Sequence, residues 1–149
     1  MAGETVKALV PITFIYKNRV GQALEAYLNG LKEKKILGIK CPDCKKVYVP
    51  PRTVCGICHK KLDRFVEMEQ QGILENFTIA YVNIDNGEIR DSQQPYIIGM
   101  IRLNSADSLL SAVVKVTFID KLMPGIKLRA VWKETTQGDY NDLAYFEPV

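Results

Sequence analysis

All four cysteines of this chain fall in two C-x-x-C pairs, Cys41/Cys44 and Cys55/Cys58, separated by ten residues. A tight turn lets the two thiolates of one pair face a single point. Two such turns facing each other make the tetrahedral all-thiolate site that zinc prefers. Iron is accommodated by the same ligands. Cys55-Gly56-Ile57-Cys58-His59 also matches a c-type haem attachment pattern. That alternative leaves Cys41 and Cys44 without a role, and it needs export and haem ligation that nothing else here supports. Disulfides are the other alternative, and paired knuckles without a secretory signal read as ligands rather than staples. His59 is not needed to complete four ligands and is expected behind a ligand or in solvent. A closed four-thiolate site is a folding device, since catalytic zinc keeps one position open. The expectation is therefore structural zinc in a zinc ribbon.

Three parts of the chain must position that site. The first, residues 1–35, holds an arm and a helix. Val20, Leu24, Tyr27, Leu28 and Leu31 recur at spacings of three and four, one stripe of an amphipathic helix spanning roughly 16–35. Gly21 and Gly30 weaken it, so packing must hold it, on this chain or on a partner. Met1 to Ile15 reads as an extended arm, because Pro11 and the β-branched Val10, Ile12, Thr13 and Ile15 oppose a long helix. The second part, residues 36–63, is the ribbon. Short strands at 36–40 and 46–49 flank the first knuckle, and Pro50-Pro51-Arg52 carries the chain in extended form to the second.

The third part, residues 64–149, has strand grammar throughout. Ile73, Phe77, Ile79 and Tyr81 share one parity of a first strand, with Gly72 marking a bulge or bend. A second strand runs from Pro95-Tyr96 to Leu103. A third alternates through Leu110, Ala112, Val114, Val116 and Phe118, a fourth through Ile126, Leu128, Ala130 and Trp132, and a fifth covers 144–147. Five strands with Gly and Pro at the corners suit a small closed barrel, OB-like first and SH3-like second. The polar loop from Asn83 to Gln94 lies on the usual binding side of an OB barrel. The fold class is thus mainly β with an N-terminal helical segment.

Composition, 47% hydrophobic and 25% charged over 149 residues, is that of an ordinary globular protein rather than a disordered one. No run approaches a transmembrane helix, and Ala8 to Tyr16 lacks the basic flank and cleavage site of a signal peptide. Together with the cysteine usage, this points to the cytoplasm. The net charge of +3 is unevenly placed. Residues 1–65 hold 13 Lys+Arg against 5 Asp+Glu, and residues 66–149 hold 7 against 12. Lys40, Lys45, Lys46, Arg52, Lys60, Lys61 and Arg64 surround the knuckles. Such a patch attracts anions, or is only the solvated face of a small metal module.

With these residues assembled, the chain resembles a family that joins a rubredoxin-like zinc ribbon to an OB-fold, long filed as a domain of unknown function and associated with acyl-CoA metabolism. The resemblance rests on the stretch from Gly38 through Cys41-Pro42-Asp43-Cys44 to Pro50-Pro51-Arg52, followed by Cys55-Gly56-Ile57-Cys58. Gly72, Pro95-Tyr96 ahead of Gly99, Met123-Pro124-Gly125 and Phe146-Glu147-Pro148 are weaker echoes. It implies a noncatalytic accessory or scaffold protein that assembles with thiolase-superfamily condensing enzymes. In archaea these are acetoacetyl-CoA thiolase and hydroxymethylglutaryl-CoA synthase of the mevalonate route. The small protein would bridge them and help shape a site for CoA or acyl-CoA. The expected state is a hetero-oligomer, and residues contacting the CoA carrier are not specified.

Two other functions compete with that one. An OB barrel and a zinc ribbon are both frequent nucleic-acid modules, which stack bases on solvent-facing aromatics along a positive groove. The barrel half is acidic, however, and Phe77, Tyr81, Phe118 and Trp132 fall on the apolar parity. Tyr96, Tyr140 and Tyr145 are left as scattered outward candidates, so nucleic acid ranks second. A free-standing enzyme ranks third. The chain has one histidine, no cysteine outside the knuckles and no phosphate-binding glycine loop, and Asp85, Glu88, Asp91, Asp139 and Asp142 are carboxylates of polar loops.

Overall fold

The computed structural model describes residues 19–81 and 95–149. The arm Met1 to Ile15 and the loop Asn83 to Gln94, with Asp85, Glu88 and Asp91, lie outside the described residues.

Helix α1 spans Gln22–Lys32. It begins after Gly21, whose backbone is extended (φ −71°, ψ 166°). At the other end Lys34 takes φ 58°, and the N–H groups of Lys34 and Lys35 donate to Leu31 O and Gly30 O, each at 2.9 Å. This is a Schellman closure with lysine in the left-handed position usually held by glycine. The helix is therefore shorter than its apolar periodicity, and Val20 precedes it, exposed. Tyr27 and Leu31 are buried, and Leu24 and Leu28 pack against the same core. Four of the five stripe residues thus pack within this chain, and Val20 does not.

The ribbon sheet has the order β2-β1-β3, with β1 at Leu37–Lys40, β2 at Val47–Tyr48 and β3 at Arg64–Glu67, all antiparallel. Arg64–Glu67, read from sequence as the start of the barrel, instead pairs with β1 from Leu37↔Glu67 to Lys40↔Arg64. The chain leaving the second knuckle runs back along β1, and the pairing is extended where Met68 N–H donates to Ile36 O at 2.8 Å.

The second sheet has the order β6-β5-β4-β7-β8: β4 Gln71–Ala80, β5 Tyr96–Leu103, β6 Leu110–Val113, β7 Lys127–Trp132 and β8 Leu143–Pro148. It closes where Val114 forms a parallel bridge with Phe146 and Lys115 N–H donates to Phe146 O at 2.8 Å. A central first strand, and a last strand that returns parallel beside the third, give the OB-type Greek-key barrel.

Strand β4 departs from the simple alternation. Leu74 is fully buried while Ile73 is 36% exposed, because the register against β5 shifts between Leu74 and Asn76. The extra residue at this bulge turns later side chains over, so Phe77 packs on the core although Ile73 does not. Gly72 marks a close approach rather than the bulge, since a Cβ there would lie 2.4 Å from Arg102 O. Tyr81 and Phe118 are exposed rather than core, the first beyond the end of β4 and the second before a 3-10 turn at Ile119–Lys121.

One core joins the three parts: Tyr27 and Leu31 from α1, Ile36, Val47, Val49 and Met68 from the ribbon, and Leu74, Ile101, Leu128 and Phe146 from the barrel. A second, smaller cluster holds Ile39, Cys41, Tyr48, Cys55 and Leu62. The two-residue period of β2 thus sends Val47 and Val49 to the barrel and Tyr48 to the cysteines. The outer edge of β2 is taken up by the barrel. Asp107 accepts from Val47 N–H (2.9 Å) and from Lys46 Nζ (2.7 Å), and its own N–H donates to Val47 O (2.8 Å). Ser108 Oγ accepts from Val49 N–H (2.7 Å) and donates to Val49 O (2.9 Å).

Candidate metal centre

Each knuckle is a tight turn set by its own backbone. Cys41 N–H donates to Lys46 O at 2.8 Å and Cys55 N–H to Lys60 O at 2.9 Å, so the two loops are built alike. The residue after the second cysteine adopts positive φ in both, Lys45 at 64° and His59 at 59°. His59 therefore holds a turn position equivalent to a lysine's and is exposed, outside the cysteine cluster. This explains the haem-like pattern in the sequence without any haem.

The four sulfurs lie within 4.8 Å of one another. Cys41 Sγ to Cys58 Sγ and Cys44 Sγ to Cys55 Sγ are 3.4 Å, and Cys44 Sγ to Cys58 Sγ is 4.0 Å. Ligands at about 2.3 Å from a tetrahedral ion stand about 3.8 Å apart, so the set fits a four-thiolate metal and is too widely spaced for disulfides. Cys41 and Cys55 are buried, and Cys44 and Cys58 partly so.

The electrostatics ask for a cation. The Cys58 N–H and then the Tyr48 hydroxyl (3.2 Å from Cys55 Sγ) hold the Cys55 thiol down at about 5. The Lys46 N–H works the same way on Cys44, but burial and the three neighbouring sulfurs push its thiol up to about 12. Four thiolates this close resist full ionisation unless a metal shares their charge. With all positions taken by sulfur, the arrangement can fold a loop but offers a substrate no open coordination site. Around it, the Arg52 guanidinium lies 4.6 Å from the centre of the Tyr48 ring, and Lys60 pairs with Asp43 at 3.7 Å.

The other sequence candidates divide. Asp139 and Asp142 form no catalytic pair. Asp139 caps a short 3-10 helix at Tyr140–Asp142, and buried Asp142 accepts from the N–H groups of Gln137, Gly138 and Asp139 at 2.6–3.1 Å. Tyr145 lies under Lys115, whose Nζ is 4.1 Å from the ring centre. Tyr96 and Tyr140, which looked scattered, line one cleft together with Tyr27. No spacing in the sequence signals that grouping, because Tyr27 reads as one more member of the helix stripe.

Residues 28–63 match the family described as the ChsH2, rubredoxin-like zinc ribbon domain. A DUF35 domain-containing scaffold protein of Methanocaldococcus jannaschii is 26% identical over 118 residues, covering 76% of this chain and 82% of the relative. Among solved structures, a DUF35-family protein of unknown function from Sulfolobus solfataricus superposes with a TM-score of 0.63 at 29% identity, covering 74% of this chain and 78% of the other. A chain of an Ltp2-ChsH2(DUF35) aldolase superposes with the same TM-score, 0.63, at 18% identity, covering 89% of this chain and 98% of its own, a likeness of fold alone.

Proposed function

We propose that this chain, whose metal module is a zinc ribbon of the DUF35 family, is a noncatalytic accessory protein that holds enzymes of acyl-CoA metabolism together. Its partners are thiolase-superfamily condensing enzymes, acetoacetyl-CoA thiolase and hydroxymethylglutaryl-CoA synthase, in the cytoplasm. It contributes to the CoA or acyl-CoA site that they share. Cys41, Cys44, Cys55 and Cys58 hold zinc, which folds the ribbon and takes no part in the reaction.

The observation that carries this reading is the M. jannaschii relative, a scaffold protein aligned over 118 residues. The chemistry of the described residues supports it. The cysteines are gathered in one closed cluster, and the carboxylates at Asp139 and Asp142 brace a turn. Among the described residues no helix is long and apolar enough to cross a membrane.

Tagged full-length protein, purified from its native cell and analysed by mass spectrometry, tests the reading. The expected result is stoichiometric recovery of condensing enzymes that co-elute with it in one complex. Recovery of ribosomal or replication proteins alone, with submicromolar salt-sensitive binding to single-stranded oligonucleotides, overturns it in favour of a nucleic-acid module.

A further inference from the structure

Between α1, the Pro50 segment of the ribbon and the barrel lies a cleft of about 570 Å³, within the range of small-molecule sites. It opens on the face of β5 and β6 and is bordered by the segment joining β7 to β8, the side on which OB barrels hold their ligands. Its lining is mostly apolar, with Met100, Leu109, Leu110 and Val113 from the barrel and Pro50 from the ribbon.

Two polar groups in it have unused capacity. Tyr27 is 2% exposed, yet among the described residues its hydroxyl has no hydrogen-bond partner. Among the described residues no side-chain polar atom sealed from solvent lacks a partner, so this hydroxyl is open to the cleft that Tyr27 lines. Burial first, and the nearby Tyr140 second, push its pKa up to about 12, which keeps it a hydrogen-bond donor. Lys133, the one charged residue of the lining, makes no ion pair among the described residues. Lys133 acts at longer range on Asp142, whose carboxylate already accepts from three backbone N–H groups.

We propose that this cleft binds a small amphiphilic monoanion: an aliphatic or aromatic body lying against Leu109, Leu110 and Val113, with a carboxylate-class head that pairs with Lys133 and an acceptor oxygen for the Tyr27 hydroxyl. An apolar wall with a few placed polar groups is the ordinary design of such sites. One cation is too few for a polyphosphate or a nucleic-acid strand, which engage several. The inference is independent of the scaffold reading, since it needs only the free chain.

The test is a titration of the ¹⁵N-labelled full-length protein with octanoate and, separately, octanol, followed by NMR. Octanoate is expected to give saturable shifts at Leu110, Ser111, Ala112, Val113, Leu143 and Ala144, and to bind roughly tenfold tighter than octanol, the advantage of a charge-assisted contact. Lys133→Met should bring octanoate to the affinity of octanol and leave octanol unchanged. Tyr27→Phe should weaken octanoate several-fold. Ser111→Trp, at an exposed lining position opposite Met100, fills the cleft and should abolish both, with retained metal and peak dispersion showing that the chain is folded. No saturable shift at millimolar octanoate overturns the proposal. So does a Lys133→Met effect equal for both probes, or octanoate binding that survives a folded Ser111→Trp variant.

Discussion

The reversal at the start of β4 can be tested with two alanine substitutions one residue apart. Leu74 is fully buried opposite Ile101, and its side chain lies over Gly99, where a Cβ would lie 2.7 Å from Leu74 Cδ1 and 2.6 Å from Val114 Cγ2. Leu74→Ala therefore opens a hole beside a residue with no side chain to move into it. With glycine on that side the hole cannot be filled from Gly99, which places the cost in the upper part of the usual range, about 3–5 kcal/mol. Ile73 is 36% exposed, stands outside the described core and points away from it. Its truncation loses partial burial and no enclosed volume, about 1 kcal/mol. At roughly 2–4 °C per kcal/mol for a chain of this size, the melting temperatures should fall by about 10 °C and about 3 °C respectively. Urea unfolding followed by circular dichroism, on metal-loaded protein and with slopes unchanged between variants, measures both. Equal losses, or a larger loss for Ile73→Ala, would refute the bulge and restore the simple parity of the sequence.

Further outcomes are expected. Purified protein should carry one zinc or iron per chain, and Cys55→Ser should abolish it with loss of ribbon amide dispersion; elemental analysis finding no metal and disulfide-bonded thiols contradicts this. At Asp142 burial by itself would raise the carboxyl pKa, but the N–H groups of Gln137, Gly138 and Asp139 outweigh it and hold the value below the ordinary range. A depressed folded-state pKa contributes stability that is full above the unfolded value of about 4 and is lost as the pH falls from there through the depressed folded value. Asp142→Asn should therefore melt lower at pH 7 and lose less on going from pH 5 to pH 3 than the parent does. The double substitution Leu24→Glu and Leu28→Glu places two carboxylates against the chain's own core, so insoluble or metal-free protein is expected. A folded, metal-loaded double variant that merely lost its partner would return the stripe to the surface.

What could be read from the sequence was what neighbours along the chain determine. The cysteine spacing is local, and two i, i+3 turns with a short link leave few geometries other than a closed cluster. Alternation likewise places Leu128, Ala130 and Trp132 of β7 on the core, although the register against β8 shifts between Val131 and Trp132. Parity failed at Ile73 because a one-residue bulge has no required residue type. The helix was overestimated because apolar periodicity continues past Gly21, and because lysine, not glycine, took the left-handed position at Lys34. Arg64–Glu67 could not be assigned to a sheet, since Phe65 and Val66 suit either partner and only the return path from the second knuckle decides. The cleft was beyond reach, because Tyr27, Pro50, Tyr96, Lys133 and Tyr140 come from segments far apart in the chain.

A metal that performs no chemistry can still govern the cleft, because β2 stands between them. On one side Tyr48 reaches Cys55 Sγ at 3.2 Å. On the other, Val49 is fastened to Ser108 by a reciprocal pair of hydrogen bonds, and the residues that follow each of them, Pro50 and Leu109, both line the cleft. Removing the metal leaves four close sulfurs with no shared cation, so the knuckles must open and Tyr48 loses its anchor. Val47 and Val49 then hold their places in the main core only by their own packing, and the Pro50 wall is released. Metal-free protein kept reduced should therefore bind octanoate several-fold more weakly, with amide shifts at Val49, Ser108, Leu109 and Leu110, while Leu128 and Phe146 in the far barrel stay in place. Undiminished octanoate binding in the metal-free chain would show that the ribbon and the cleft are independent, and that the metal serves the knuckles alone.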